Sequence, residues 1–158
     1  MLFRSGESTT TYDIAKGLFK AAQGDSIIFN LPLGGDGDST FLHNTIKSIY
    51  DQGGVLIAAA GNQPTTAPTY PAAYPEVIAV GALDRKGNLA SYSNRGGFID
   101  VMAPGDSIIT FNGQRYQVTG TSTSTSYVSS LAAYLAESKN LRGVPLRQAL
   151  LQAMSPKK

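Results

Sequence analysis

The 158-residue chain contains no cysteine and a single histidine, His43. Without cysteine there is no disulfide, no thiolate metal site and no sulfur nucleophile. That absence suits a secreted and a cytosolic protein equally well, so the compartment stays open. Charge is sparse as well, at 15% of residues, with 13 Lys and Arg against 11 Asp and Glu for a net +2. The basic residues are scattered, apart from the closing Lys157 and Lys158, so no basic stripe marks a nucleic-acid partner. The longest near-continuous apolar stretch is Val55 to Ala60, far short of the roughly 20 residues that cross a bilayer. Met1 to Thr10 lacks the apolar centre of a secretory signal. What is present is an apolar fraction of 42%, sufficient for a buried core. At about 100–200 residues per domain, the length predicts one domain over residues 1–158. Seventeen glycines and eight prolines assign much of the shaping to tight turns.

Four apolar runs read as buried strands: Ile27 to Leu31, Val55 to Ala60, Val77 to Ala82, and Phe98 to Ala103. They are nearly continuous rather than alternating, which marks strands of a parallel sheet covered on both faces. Two helices fit between them. Thr11 to Gln23 groups Ile14, Leu18 and Ala21 with Phe19 beside them, and Ser39 to Gln52 carries Leu42, Ile46 and Ile49 on one stripe. Gly53-Gly54 stops the second helix, and Asp38 or Ser39 caps its start. The alternation predicts an α/β fold. Residues 61–76 carry four prolines and read as a structured loop, residues 104–119 as a hairpin turning at Asn112-Gly113. Two more helices run from about Ser122 to Ser138 and from Pro145 to Met154. Both ends look cut, because Leu2-Phe3-Arg4 is a strand-like stub with nothing before it.

Two segments bear on chemistry. In Gly120-Thr121-Ser122 a tight turn opens an apolar helix, placing a serine hydroxyl where the helix N-terminus favours developing negative charge. The plainer alternative is that Ser122 only caps the helix. Ala60-Gly61-Asn62 puts an amide just past the C-terminal end of a parallel strand, where such sheets bind ligands. Alone, Asn62 equally well reads as a turn residue. A third segment, Leu33 to Ser39, is glycine-rich but misses the Gly-x-Gly-x-x-Gly spacing. Its Asp36 and Asp38 also place negative charge where a phosphate must sit, so nucleotide binding is set aside.

Taken in order, Asn30-Leu31-Pro32-Leu33-Gly34-Gly35, Ala60-Gly61-Asn62, Tyr70-Pro71 through Ala82, Ala90 to Asn94, Asp100 to Gly105 and Gly120-Thr121-Ser122 resemble the subtilisin-like serine peptidases. The resemblance covers about the second half of that family's catalytic domain. It implies a three-layer αβα fold with a mainly parallel sheet, lacking the family's N-terminal strands. It makes Ser122 the match to the nucleophile and Asn62 the match to the side-chain oxyanion donor. Leu31, Pro32, Leu33 and Gly34, with Ala60 and Gly61, become walls of the pocket for the residue before the scissile bond. Arg4, Ser5 and Gly6 border the groove where an extended substrate adds as a strand. A cis peptide is implied at Tyr70-Pro71, calcium binding is common in the family, and its members are often secreted. No loop in the sequence specifies a calcium site, and no cofactor is called for.

The departures from the family are as informative. Its Asp and His segments both precede the matched region, and neither is present here. His43 falls in an outer helix and reads as an ordinary surface or boundary histidine. Ser126 stands where the family has proline, Tyr127-Val128-Ser129-Ser130 replaces His-Val-Ala-Gly, and Pro32 replaces a serine. Without an imidazole in reach, a serine hydroxyl is a poor nucleophile at neutral pH. The sequence therefore predicts a non-catalytic, pseudo-peptidase domain used in peptide or protein binding or assembly. The alternatives are a portion of a serine endopeptidase whose Asp and His come from another chain or upstream sequence, and a purely structural surface module. The family strand that carries the Asp lies beside the strand matched by Ile27 to Leu31. Without it, the sheet is expected to close by rearrangement against Leu2 to Arg4, by a second copy of the chain, or by a partner segment.

Overall fold

The computed structural model describes residues 9–155; the Leu2–Arg4 stub and the candidate groove residues Arg4, Ser5 and Gly6 lie outside them. The chain begins with helix α1 (Thr11–Ala22), strand β1 (Ile28–Leu31), helix α2 (Thr40–Asp51) and strand β2 (Val55–Ala59). Strands β3 (Val77–Leu83) and β4 (Val101–Pro104) complete a parallel sheet in the order β1-β2-β3-β4. A hairpin of β5 (Asp106–Phe111) and β6 (Gln114–Thr119) then leads into helices α3 (Thr121–Ser138) and α4 (Gly143–Met154).

Alternation along each strand sorts the core into two layers. Leu56 and Ala58 of β2 pack with Leu18, Leu42, Ile46 and Ile49 of α1 and α2. Their neighbours Val55 and Ile57 point the other way, onto Val128, Ala132, Leu146 and Leu150 of α3 and α4. Both faces are therefore covered, and β2 is buried along its whole length, which accounts for the unbroken apolar runs. The architecture is the three-layer αβα arrangement expected from the sequence. At the end of the sheet, the outer edge of β1 has no strand partner among the described residues.

Local chemistry sets the element boundaries. Ser39 caps α2, its hydroxyl accepting from the Leu42 N–H at 3.3 Å. Asn112 (φ 50°) and Gly113 (φ 76°) form the hairpin turn, since two successive left-handed residues match the twist of paired strands. The Tyr70-Pro71 peptide is cis.

Three expectations need correction. The fourth strand starts at Val101, not Phe98. Asp100 stops it there, its carboxylate accepting the Ala79 N–H (2.9 Å) while its own N–H bonds to the Ala79 carbonyl (3.0 Å). Helix α1 buries Ala15 and Leu18 rather than Ala21, and Phe19 is 63% exposed. One residue of helical phase, about 100°, separates Phe19 from the Leu18 line. Helix α4 begins at Gly143 (φ 53°), two residues before Pro145, which places the proline in the first turn where its missing N–H costs nothing.

Candidate active site

The C-terminal end of β2 meets the N-terminus of α3. Past Ala59 the backbone turns at Gly61 (φ 105°), where a Cβ would fall 2.5 Å from the Asn94 amide nitrogen, so only glycine fits. Asn62 follows. Its Oδ1 accepts from both the N–H and the hydroxyl of Thr121, each at 2.9 Å. The same hydroxyl accepts the Gly61 N–H at 3.2 Å. With Oδ1 committed, the donor end of the Asn62 amide is the end left available. It faces Gly120, where a Cβ would approach Nδ2 to 3.2 Å.

Ser122 is the second residue of α3, and Gly120 occupies the capping position without a side-chain bond. Ser122 is therefore no cap. Its Oγ donates instead to the Pro32 carbonyl at 3.1 Å, and its N–H, in the first helical turn, has no intrahelical acceptor. The turn is held by buried hydroxyls: Ser124 donates to the Ala103 carbonyl (3.0 Å) and Thr125 to the Thr121 carbonyl (2.7 Å). A hydroxyl, an amide donor and a helix N-terminus thus lie at one cleft, and the last two are the kinds of group that can stabilise an oxyanion.

Two clefts flank Ser122. One, of about 310 Å³, is bounded by Leu33, Gly34, Gly61, Asn62 and Thr69, with Asp36 on its lining. Leu31 and Ala60 lie behind this wall, buried in the core, and Ala59 takes the lining position. Buried Asn94 fixes the pocket's shape: Nδ2 donates to the Ala60 carbonyl (2.7 Å) and Thr69 Oγ1 (2.9 Å), and Oδ1 accepts the Gln63 N–H (3.0 Å). The second cleft, about 410 Å³, lies between Pro32, Ile109, Val118 and Tyr127. Thr121, Asn94 and Thr69 are the site residues that sequence reasoning missed. Each stands next to or inside a quoted motif, but only the folded geometry gives it a task.

His43 does not join the site. It lies on α2, which packs on the opposite face of the sheet from α3. Its Nε2 bonds to Glu76 Oε2 at 2.9 Å and its ring stacks on Tyr74 with centroids 4.2 Å apart. Tyr74 in turn shares its one O–H proton between Asp38 Oδ1 (3.0 Å) and the Ser39 carbonyl (3.1 Å) and accepts the Ser39 N–H (3.0 Å). Burial, foremost, pushes this phenol above its ordinary value. Among the described residues no group of three or more His, Asp or Glu could hold a metal ion. No helix among them is long and apolar enough to cross a membrane.

A seryl hydroxyl and an asparagine amide lining one cleft at the C-terminal end of a parallel sheet define the class as an α/β fold with a candidate serine site. The comparisons narrow it. A profile of the subtilase family matches residues 1–157. The thermophilic serine proteinase of Bacillus sp. strain AK1 is 42% identical over 153 residues, spanning 96% of this chain and 38% of that protein. Thermitase of Thermoactinomyces vulgaris is 38% identical, over 86% of this chain and 49% of its own. Among solved structures, the prenylagaramide maturation protease PagA superposes with a TM-score of 0.87 at 27% identity, covering 99% of this chain and 62% of that one. The self-cleaved protease domain of PatA gives 0.79 at 29% identity, covering 87% and 57%. The chain belongs to the subtilase family, and it spans half or less of the length of these two curated relatives.

Proposed function

We propose that this chain provides the nucleophile-bearing half of a subtilisin-like serine-peptidase site and is inert by itself. The Asn62–Thr121 bonding carries the reading: two hydrogen bonds at 2.9 Å spend the acceptor end of the amide and leave its donor end free on the cleft that Ser122 also lines. In this reading the Ser122 Oγ attacks a peptide carbonyl and forms the Oγ–C bond. The carbonyl electron pair moves onto oxygen, where Asn62 Nδ2 and the first turn of α3 receive it. The hydroxyl proton must pass to a base, and the one histidine of the sequence is held by Glu76 across the sheet. The Asp and His therefore come from polypeptide outside this sequence. The open edge of β1 and the cleft beside Ser122 are where such a segment would pack.

Fluorophosphonate labelling tests this. The chain alone is expected to remain unlabelled. Joined to the upstream half of thermitase, it is expected to label at Ser122, and Ser122→Ala is expected to abolish the label. A folded, joined protein that stays unlabelled overturns the proposal. It would favour the second reading, a non-catalytic peptide-binding domain. That reading draws its support from the Pro32 carbonyl, which holds the Ser122 hydroxyl, and from Ser126, whose Oγ bonds to the Ser122 carbonyl at 3.1 Å in place of the family proline.

A further inference from the structure

We infer that the pocket beside Asn62 selects a basic side chain, and that Asp36 sets this preference. The inference rests on the reading of that pocket as a peptide site. Its polar lining is neutral apart from Asp36: Asn62, Gln63, Thr69, Asn94 and the hydroxyls of Thr121 and Ser122 carry no charge, and no Lys or Arg takes part. Several of the neutral groups are already occupied. Asn94 spends its amide on the Ala60 carbonyl, Thr69 and the Gln63 N–H, and Asn62 spends its acceptor on Thr121. The charged group that the described lining offers an incoming side chain is a carboxylate.

Asp36 is also held in place. On one side Gly35 is bridged to Tyr70, N–H to carbonyl in both directions, at 2.9 and 2.8 Å. On the other, Tyr74 ties down Asp38 and Ser39 through its hydroxyl. The short link between these anchors keeps Asp36 at the pocket. Among the described residues the ion pairs are His43–Glu76 and Lys47–Asp51, and Asp36 belongs to neither. A carboxylate beside an otherwise neutral cleft attracts an ammonium or guanidinium and repels a carboxylate. Asp36 is solvent-exposed, so the effect is modest and screened by salt.

The test is a fluorescence-anisotropy titration of this chain with labelled, amide-capped tetrapeptides that differ only at the last residue: lysine, norleucine or glutamate. Lysine is expected to bind about fivefold more tightly than norleucine, the range of an exposed ion pair, and glutamate more weakly than either. Asp36→Asn is expected to bring lysine and norleucine together while leaving norleucine affinity unchanged, which also reports that the variant is folded. Asp36→Lys is expected to reverse the order. Binding of all three peptides with equal affinity, or a lysine preference that survives Asp36→Asn, overturns this inference and leaves the peptide site standing. Failure of every peptide to bind overturns both.

Discussion

Thr121 and Asn62 are joined twice, by the backbone N–H and by the hydroxyl of the threonine, both to the same amide oxygen at 2.9 Å. The threonine is 1% exposed, and its oxygen also receives the Gly61 N–H. One small side chain thus orients the amide and satisfies the turn in front of it. Thr121→Val removes the hydroxyl and strands the Gly61 N–H, at an expected cost of about 1–3 kcal/mol. Thr121→Ser keeps the bonds and is expected to recover most of that. Urea midpoints of the two variants decide it; a Val variant as stable as the Ser variant would show that the hydroxyl is idle.

Asn94 is the hub of the neighbouring loop. It is 1% exposed and bonds to Ala60, Gln63 and Thr69. Asn94→Leu leaves the buried Ala60 carbonyl, the Thr69 hydroxyl and the Gln63 N–H without their partner, at a cost of about 1–3 kcal/mol for each group that stays unsatisfied, a large share of the stability of an ordinary domain. Asn94→Asp keeps the acceptor but loses the two donated bonds. Circular dichroism melts of both variants are expected to show the Leu change as the more damaging, together with loss of peptide binding at the Gly61 side.

The turn after β3 has a titration signature. Asp84 Oδ1 accepts the N–H groups of Lys86 (2.8 Å) and Asn88 (2.9 Å). Its carboxyl is lowered from the usual 3.8 through the backbone hydrogen bond from Asn88 first, then those of Lys86 and the Asn88 side chain, with burial opposing. A lowered folded-state value means stability that is fully present above the unfolded value and lost as pH falls through the folded one. The melting temperature of Asp84→Ala is therefore expected to lie below wild type at pH 7, and the gap to narrow below about pH 4. A gap that does not change with pH would rule the carboxylate out as its cause.

The hairpin presents an unusual face. Pairing places Ile109 opposite Tyr116 and Ser107 opposite Val118, so Ile109, Phe111, Tyr116 and Val118 share one side. Ile109, Phe111 and Tyr116 are 46%, 62% and 43% exposed, next to the cleft that Tyr127 borders. An exposed apolar patch beside an unpaired strand edge favours association. The isolated chain is expected to self-associate in sedimentation velocity at tens of micromolar, and Ile109→Lys with Tyr127→Lys to shift it toward monomer. A monomeric wild-type chain at that concentration would count against the patch as a contact surface.

How much of this was legible in the sequence depended on the range of the interaction. The sheet strands read clearly because burial on both faces leaves an apolar run that needs no partner to be recognised. Ser39 as a cap and Asn112-Gly113 as a turn are equally local. Phe19 misled because an aromatic one residue off a stripe looks buried until the packing of α1 on α2 fixes the phase. Phe98 and Ile99 look like strand residues, and only the contact of Asp100 with Ala79, 21 residues away, shows where the ladder begins. Ser122 and Asn62 stood out through their motifs, whereas Thr121 and Asn94 act through bonds spanning 59 and 34 residues. No window on the sequence displays such bonds.

The sheet order β1-β2-β3-β4 is also the order of the strands along the chain. Each new strand joins the one made just before it, and none has to insert between two earlier ones. During synthesis these four strands can therefore join the sheet in turn as the polypeptide leaves the ribosome. Helices α3 and α4 arrive last and seal the second face, so Ser122 takes its place only after the strands beneath it are laid down.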